Sequence, residues 1–563
     1  MVNKDDDSAR GFRERVRAAA ADAIEMARVG AGFGVRSGAA FDFSIAGAAT
    51  LVRQAVSGAM GPAGIFRYHA AARPDVLALV DDRLRLTYGE LDRRIDRLAT
   101  RLVRHHGLRR GESAIAVLHN RPEFVEVQAA LARIGARSVA ASWRSTPTEL
   151  AYLVSHSGAK MLFIESEIAG VYTDHVASFP SLARKNVIAV GGSHAGLDAY
   201  DDVIANGPIE RHDGDSDDAA VVIYTSGTTG KPKGAVRKFG REGYLAYVQL
   251  LYELPVHVGD RHLAVCPLYH STAFAFATIT TMLGGTVFIE RKFDPETTLR
   301  RLSEERIATT AMVPTMLSRL LALPEATRRG YDLRSLNAIF TAGAPLSGAL
   351  ARETITELGH VLYNIYGSTE TGLNTLATPD ELIRSPGTIG HAVRGNEICL
   401  LDDEGRAVPR GATGELFVKN SLLVSYHGDD DATRRSMRDG FFSVGDLAHQ
   451  DATGLFHIDG RKRDMIISGG INVYPAEVEE TLCLHPAVAE AAVVGVADRD
   501  LGERVRAYVS LREGARAEPT EIVSFCRERL SGAKVPKDVR ILPDLPKNPT
   551  GKILKRELRD LPT

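Results

Sequence analysis

Between Val221 and Gly234 the chain reads VVIYTSGTTGKPKG, an apolar run that opens directly into Ser, Thr, Gly and two Lys. The β-branched and aromatic residues from Val221 to Tyr224 predict a buried strand. Gly227, Gly230 and Gly234 then allow turns and close backbone approach. Successive N–H groups of such a turn can face an anion, with Thr225, Ser226, Thr228 and Thr229 adding hydroxyls and Lys231 and Lys233 adding charge. The stretch predicts a cradle for polyphosphate at a strand's end. It is not a Walker loop, because Thr225 stands where the first Gly belongs and Pro232 where the hydroxyl belongs. It is not a nucleophile elbow either, since Tyr224 occupies the position of the required Gly before Ser226.

A chain of 563 residues exceeds one ordinary core, so two or more domains are expected. A net charge of −2 speaks against a nucleic-acid partner. Cys266, Cys399, Cys483 and Cys526 are far apart and form no CxxC pair, which points away from zinc and disulfides and toward a reducing cytoplasm. Met1 to Arg15 is too charged for a secretory leader, and no apolar stretch reaches the roughly 18 residues of a membrane span. Residues 11–60, rich in Ala and Gly with an apolar run from Phe43 to Val52, read as a helical extension, with peripheral lipid contact as the second reading.

From Leu86, LTYGELDRRIDRLATRLV reads as a short strand, a turn and a helix, with Leu91, Ile95, Leu98 and Leu102 at helical spacing. An apolar strand from Ala114 to Leu118 precedes a second amphipathic helix. Alternation of this kind predicts a layered α/β domain with a largely parallel sheet. TTAMVPTMLSRL predicts a strand and then a helix opening near Pro314, and AIFTAGAPL a strand ending in a loop. VLYNIYGSTETG predicts an apolar strand that delivers Tyr366, Gly367, Ser368, Thr369 and Glu370 to its carboxyl end, where ligands sit in open parallel sheets. There Tyr366 offers an aromatic face, Thr369 a hydroxyl and Glu370 a hard oxygen suited to Mg²⁺. GELFVKN and DGFFSVGDL read as strands of a β-rich portion.

TSGTTGKPKG resembles the phosphate loop of the adenylate-forming superfamily, which includes acyl-CoA synthetases, luciferases and peptide-synthetase adenylation domains; YGSTE at this distance strengthens the likeness. Beyond about residue 60 the chain is most similar to bacterial fatty acyl-CoA synthetases. It departs just after the loop, where many members show Thr-His-Arg-Asn and this chain reads AVRKFGREG from Ala235. The resemblance implies that ATP or AMP is held by Thr225, Ser226, Gly227, Thr228, Thr229, Gly230, Lys231 and Lys233 in the loop. Gly343, Ala344 and Pro345 would pack on adenine beside Tyr366 and Gly367, with Asp446 on the ribose and Arg461 on the nucleotide. Glu370 and Thr225 would serve Mg²⁺, and His270 and Phe274, with Phe276 near by, would wall the carboxylate's pocket.

A large domain over 61–462 and a small mobile α+β domain over 463–563 follow from the same likeness, after the extension at 1–60. Arg463 stands at the hinge position, which is often Asp or Lys in related enzymes, and Gly469 and Gly470 would let the pantetheine arm of CoA pass. LPKNPTGKILKREL, with Lys547 and Arg556 flanking Lys552, resembles the carboxy-terminal catalytic loop. Implied chemistry runs in two steps with Lys552, Glu370 and Thr369 catalytic: a carboxylate attacks the α-phosphorus of ATP to form acyl-AMP and pyrophosphate, and the anhydride then passes to CoA. Apolar residues near Phe274, with no charged partner for a substrate amine, argue against an amino-acid adenylation domain, and the resemblance makes a medium- or long-chain fatty acid the preferred substrate. An aryl or sterol-derived acid, a carrier-protein acceptor and a non-catalytic nucleotide sensor are the competing readings.

Overall fold

The computed structural model describes residues 32, 34–38, 44–57, 62–205, 208–212, 220–225, 233–238, 249, 251–420, 434, 436–547 and 552–561. Two sheets with parallel cores form the larger part. In the first, seven strands run in the order Asp198–Ala199, Val187–Val190, Ala159–Glu165, Ser113–Val117, Arg137–Ala141, Ala220–Thr225 and Lys233–Lys238. Every pairing is parallel except the last. The second has nine strands, six of them a parallel core: Leu77–Val80, Thr286–Ile289, Arg261–Ala264, Thr309–Met312, Ala338–Thr341 and Leu362–Ser368. Antiparallel strands close both of its edges.

Local chemistry sets where these elements begin. Thr87 caps the helix Tyr88–Arg104 and Thr146 caps Pro147–Ser157, each in a reciprocal box with the Glu three residues on. Leu91, Ile95, Leu98 and Leu102 fall on one buried face, as their spacing predicts. That helix is tied to its neighbour Pro122–Ile134 by buried charge: Asp96 accepts from both Arg67 nitrogens at 2.8 Å and from Arg133 at 2.8 Å. The helix Ile45–Ser57 leans on Pro62–Ala72, with Gln54 donating to the Gly64 carbonyl at 2.9 Å. Described parts of the amino-terminal extension therefore pack on the larger body, while Ile45 stays 81% exposed.

The two sheets meet at their carboxyl ends. Asn120, just past the strand Ser113–Val117, donates to the carbonyls of Cys266 at 2.9 Å and Glu290 at 3.1 Å, and accepts from the Leu268 N–H at 2.7 Å. Those three partners all follow strands of the second sheet. Beside this contact, Glu165 of the first sheet takes Arg291 of the second at 2.7 Å and the buried Arg121 at 2.7 Å.

A third sheet, antiparallel and five-stranded, comprises Glu397–Leu401, Gly414–Lys419, Met437–Arg438, Phe441–Gln450 and Phe456–Arg461. The turn Lys462–Asp464 leads into a fourth, built from Ile466–Ser468, Ile471–Val473, Val488–Asp498, Gly502–Leu511 and Asp538–Ile541 with helices Pro475–Cys483 and Pro519–Arg527. This last unit has its own buried cluster around Val478, Val493, Val509 and Ile522. All four cysteines are free thiols. Among the described residues no helix is long and apolar enough to cross a membrane.

Asn120→Ala removes three buried hydrogen bonds from the junction between the sheets. A loss of about 2–4 kcal/mol is expected in urea unfolding; a change under about 0.5 kcal/mol, the range of an ordinary surface substitution, would show that the junction is held by other contacts.

Candidate active site

The strand Ala220–Thr225 lies parallel to Arg137–Ala141, so its carboxyl end opens at the edge where the two sheets meet. It then returns antiparallel as Lys233–Lys238, with Thr225 paired to Lys233 and Tyr224 to Gly234. The described element that follows the loop sequence is thus an antiparallel strand, where a Walker site has a helix. Ser226, Gly227, Thr228, Thr229, Gly230 and Lys231 lie outside the described residues, and Thr225 and Lys233 enter through their backbone pairing. At the hairpin's base, the Tyr224 hydroxyl meets His156 Nδ1 at 2.8 Å.

On the second sheet, Leu362–Ser368 carries Tyr366 and Gly367 to its carboxyl end, with Thr369 and Glu370 in the turn that follows. A Cβ at Gly367 would fall 2.0 Å from the Gly372 carbonyl oxygen, so the turn closes only around glycine. Ser368 faces inward and shapes that turn, its Oγ accepting the N–H groups of Glu370 at 3.2 Å and Thr371 at 3.1 Å. Glu370 is buried. Gly343, Ala344 and Pro345 follow the neighbouring parallel strand Ala338–Thr341.

Asp446 links this edge to the third sheet. Tyr366 donates its hydroxyl to Asp446 Oδ2 at 2.7 Å, and Arg461 Nε reaches Oδ1 at 2.6 Å. Arg461 also donates to the Val444 carbonyl at 3.2 Å. Burial first, and then the Asp446 charge, pushes the Tyr366 phenol well above its ordinary range, so it remains a neutral donor. Both oxygens of the ribose candidate are therefore engaged by protein groups in this structure.

Lys552 comes to the same place from the far end of the chain. Its pKa is held down to about 8, first by the protein crowding it and then by Arg461 and Arg463, while Asp446 and Asp464 oppose the shift. Its side chain remains open to water by surface area, so the shift describes the protonation of the amine and contributes no fold stability. Lys547, expected to matter beside it, instead pairs with Glu490 at 2.7 Å and Asp544 at 2.8 Å, and its backbone bridges to Ile553.

His270 precedes the helix Ser271–Met282 and accepts the Phe274 N–H at 3.0 Å through its carbonyl. Its Nε2 is buried with no hydrogen-bond partner, and burial lowers the ring to about 4, so the imidazole is neutral near pH 7. Phe274 is half-buried and meets Phe124 edge-on at 6.1 Å. Phe276, expected as a pocket wall, is 4% exposed and stacked on Phe340 at 4.3 Å and His262 at 5.9 Å. It belongs to the core beneath the helix because position 276 falls on the face turned to the sheet.

Gly469 and Gly470, with φ of +58° and +80°, form the two-residue turn between Ile466–Ser468 and Ile471–Val473. That hairpin by itself accounts for glycine at both positions. Among the described residues no group of three or more His, Cys, Asp or Glu could cage a metal. The single buried carboxylate of Glu370 suits Mg²⁺ that arrives on a polyphosphate and keeps its waters. Sequence reasoning passed over Asn120, Glu165 and Arg291, which fix the two sheet ends, because each acts through partners more than forty residues away.

Residues 66–425 match the AMP-binding enzyme family, and residues 477–552 match the AMP-binding enzyme C-terminal domain. A feruloyl-CoA synthase from an Amycolatopsis species is 35% identical over 87% of this chain and 96% of its own length. Indoleacetate–CoA ligase of Aromatoleum aromaticum is 33% identical over 88% and 96%. The fatty acid–[acyl-carrier-protein] ligase ScoC of Streptomyces coeruleorubidus is 32% identical over 88% and 95%. Among solved structures, o-succinylbenzoate CoA synthetase of Bacillus subtilis with its acyl-adenylate intermediate superposes with a TM-score of 0.77 at 28% identity, covering 88% of this chain and 98% of that one.

Labelling of Lys552 by an amine-acylating reagent, followed by peptide mass spectrometry, should rise with pH to half its maximum near 8, below the 10.5 of an ordinary lysine. Only the neutral amine reacts. Arg461→Gln removes a neighbouring cation and should move the midpoint upward; an ordinary lysine profile in the wild type would contradict this placement.

Proposed function

The chain belongs to the AMP-binding enzyme family, and from that membership we propose that it activates an aromatic carboxylic acid as its adenylate and transfers it to CoA. It is an adenylate-forming CoA ligase of the acid–thiol type, using ATP, Mg²⁺ and CoA. The observation that carries the catalytic assignment is the convergence of Lys552, from near the end of the chain, with Asp446 and Arg461 of two paired strands.

In this reading, backbone amides and charges of the hairpin loop hold the β- and γ-phosphates, and Tyr366 and the Gly343–Pro345 segment face the base. Asp446 receives the ribose hydroxyls, which compete for oxygens now engaged by Tyr366 and Arg461. Mg²⁺, when bound, neutralises phosphate charge beside Glu370. Lys552 stands where the α-phosphate and attacking carboxylate meet, and its ammonium offsets the charge that both bring. One P–O bond forms to the carboxylate as the bond to pyrophosphate breaks. A CoA thiolate then attacks the acyl carbon and AMP leaves. Arg463 serves as the pivot between the two steps, and the Gly469–Gly470 turn lies along the thiol's approach.

The choice of acid moves away from fatty acids. Relatives that act by name on feruloyl, indoleacetate and 2-succinylbenzoate groups support an aromatic substrate. The relative that loads a fatty acid onto a carrier protein keeps that chemistry as the second reading.

Pyrophosphate exchange and CoA thioester formation across cinnamates, arylacetates, benzoates and fatty acids of graded length test the assignment. An aryl acid should lead by about tenfold or more in kcat/KM; a lead by any long fatty acid would overturn it. Lys552→Ala should slow adenylation by about a hundredfold or more while sparing thioester formation from supplied acyl-adenylate. Phe274→Ala should narrow discrimination against medium-chain fatty acids by about tenfold, and an unchanged preference would remove Phe274 from the pocket.

A further inference from the structure

The three residues of the turn Lys462–Asp464 are held differently. Lys462 Nζ pairs with Asp403 at 2.8 Å and Glu415 at 3.0 Å, both belonging to the third sheet or its first turn. Asp464 pairs with Arg559 at 2.8 Å, in the helix Lys555–Arg559 near the end of the chain. Arg463 lies between these two anchors, 51% exposed and 4.0 Å from the Asp464 carboxylate.

That last helix begins three residues after Lys552. Its two ends are fastened on one face: Lys555 to Glu479 at 2.6 Å and Arg559, one turn on, to Asp464. On the other side of Lys552, the Lys547–Ile553 bridge and the Leu554 N–H to the Pro546 carbonyl at 2.8 Å close the loop. Among the described residues the Arg559 contact is the ion pair that ties this segment to Asp464, the residue beside the pivot.

We propose that Arg559 is a positioning residue for the adenylation step: by occupying Asp464 it sets where Lys552 stands relative to Asp446 and Arg461. The physical reason is competition for one carboxylate. Asp464 is 13% exposed and exerts its charge on Lys552 as well as on Arg559. With Arg559 neutralised, Asp464 loses its nearest cation, keeps Arg463 at 4.0 Å, and draws the Lys552 ammonium away from the α-phosphate. A long side chain on a closed loop can make that move without unfolding anything. The reaction assigned to this step rests on the function proposed above.

Arg559→Gln tests the idea, with Arg559→Lys as the conservative variant. In wild type, ATP alone should shield Lys552 from acylation by acetic anhydride; the shielding should be lost in Arg559→Gln and regained in Arg559→Lys. This readout requires no carboxylic acid, so it decides the point even if no acid supports exchange in the wild type and the proposed substrate class fails. With an accepted acid, pyrophosphate exchange by Arg559→Gln should fall by about tenfold to a hundredfold, and thioester formation from acyl-adenylate should stay within about twofold. Unchanged shielding, unchanged exchange, or an equal fall in both half-reactions would each overturn the proposal, the last by showing that Arg559 merely supports the fold.

Discussion

Everything at this site depends on two parallel sheets presenting their carboxyl ends to a common edge, and Asn120 is the contact that holds them there. One side chain satisfies three backbone groups of the opposite sheet, in a place where water cannot substitute cheaply. The Glu165 carboxylate adds charge to the same junction by taking Arg121 from its own side and Arg291 from the other. With the sheets fixed, the hairpin after Thr225 and the turn after Ser368 open at one edge. Each sheet alone would offer an ordinary strand end.

A second constraint is electrostatic. Arg461, Arg463, Lys552, Lys555 and Arg559 gather around Asp446, Asp464 and Glu479. So many cations would repel one another without those carboxylates, and the surplus of positive charge suits a polyphosphate. The depressed pKa of Lys552 comes first from the protein crowding it and then from Arg461 and Arg463 of that surplus. It also means that an arriving phosphate meets cations whose mutual repulsion it relieves, so ligand charge and site charge stabilise one another.

Phe276 marks where linear reading failed. Phe276 sits two residues from Phe274 and has the same chemistry, yet two positions along a helix turn a side chain through about 200°, from the Phe124 side to the Phe340 side. Membership of a wall or a core was decided by which sheet lay opposite. For Gly469 and Gly470 the local need was a two-residue hairpin turn, a requirement that any passing ligand would only share. The preference for a fatty acid is not supported by the relatives that act by name on aromatic acids.

The sequence by itself determined the alternation of strands and helices and the placing of Tyr366 at a strand's carboxyl end, because periodicity and motif spacing are local properties of the chain. Asp446 and Lys552 were singled out by resemblance. Tertiary structure alone decided that Asp446 is gripped by Tyr366 and Arg461, that Asn120 joins the sheets, and that Arg559 answers Asp464 across ninety-five residues. Those contacts join groups far apart in the chain, and their strength comes from burial and distance, neither of which a linear pattern records.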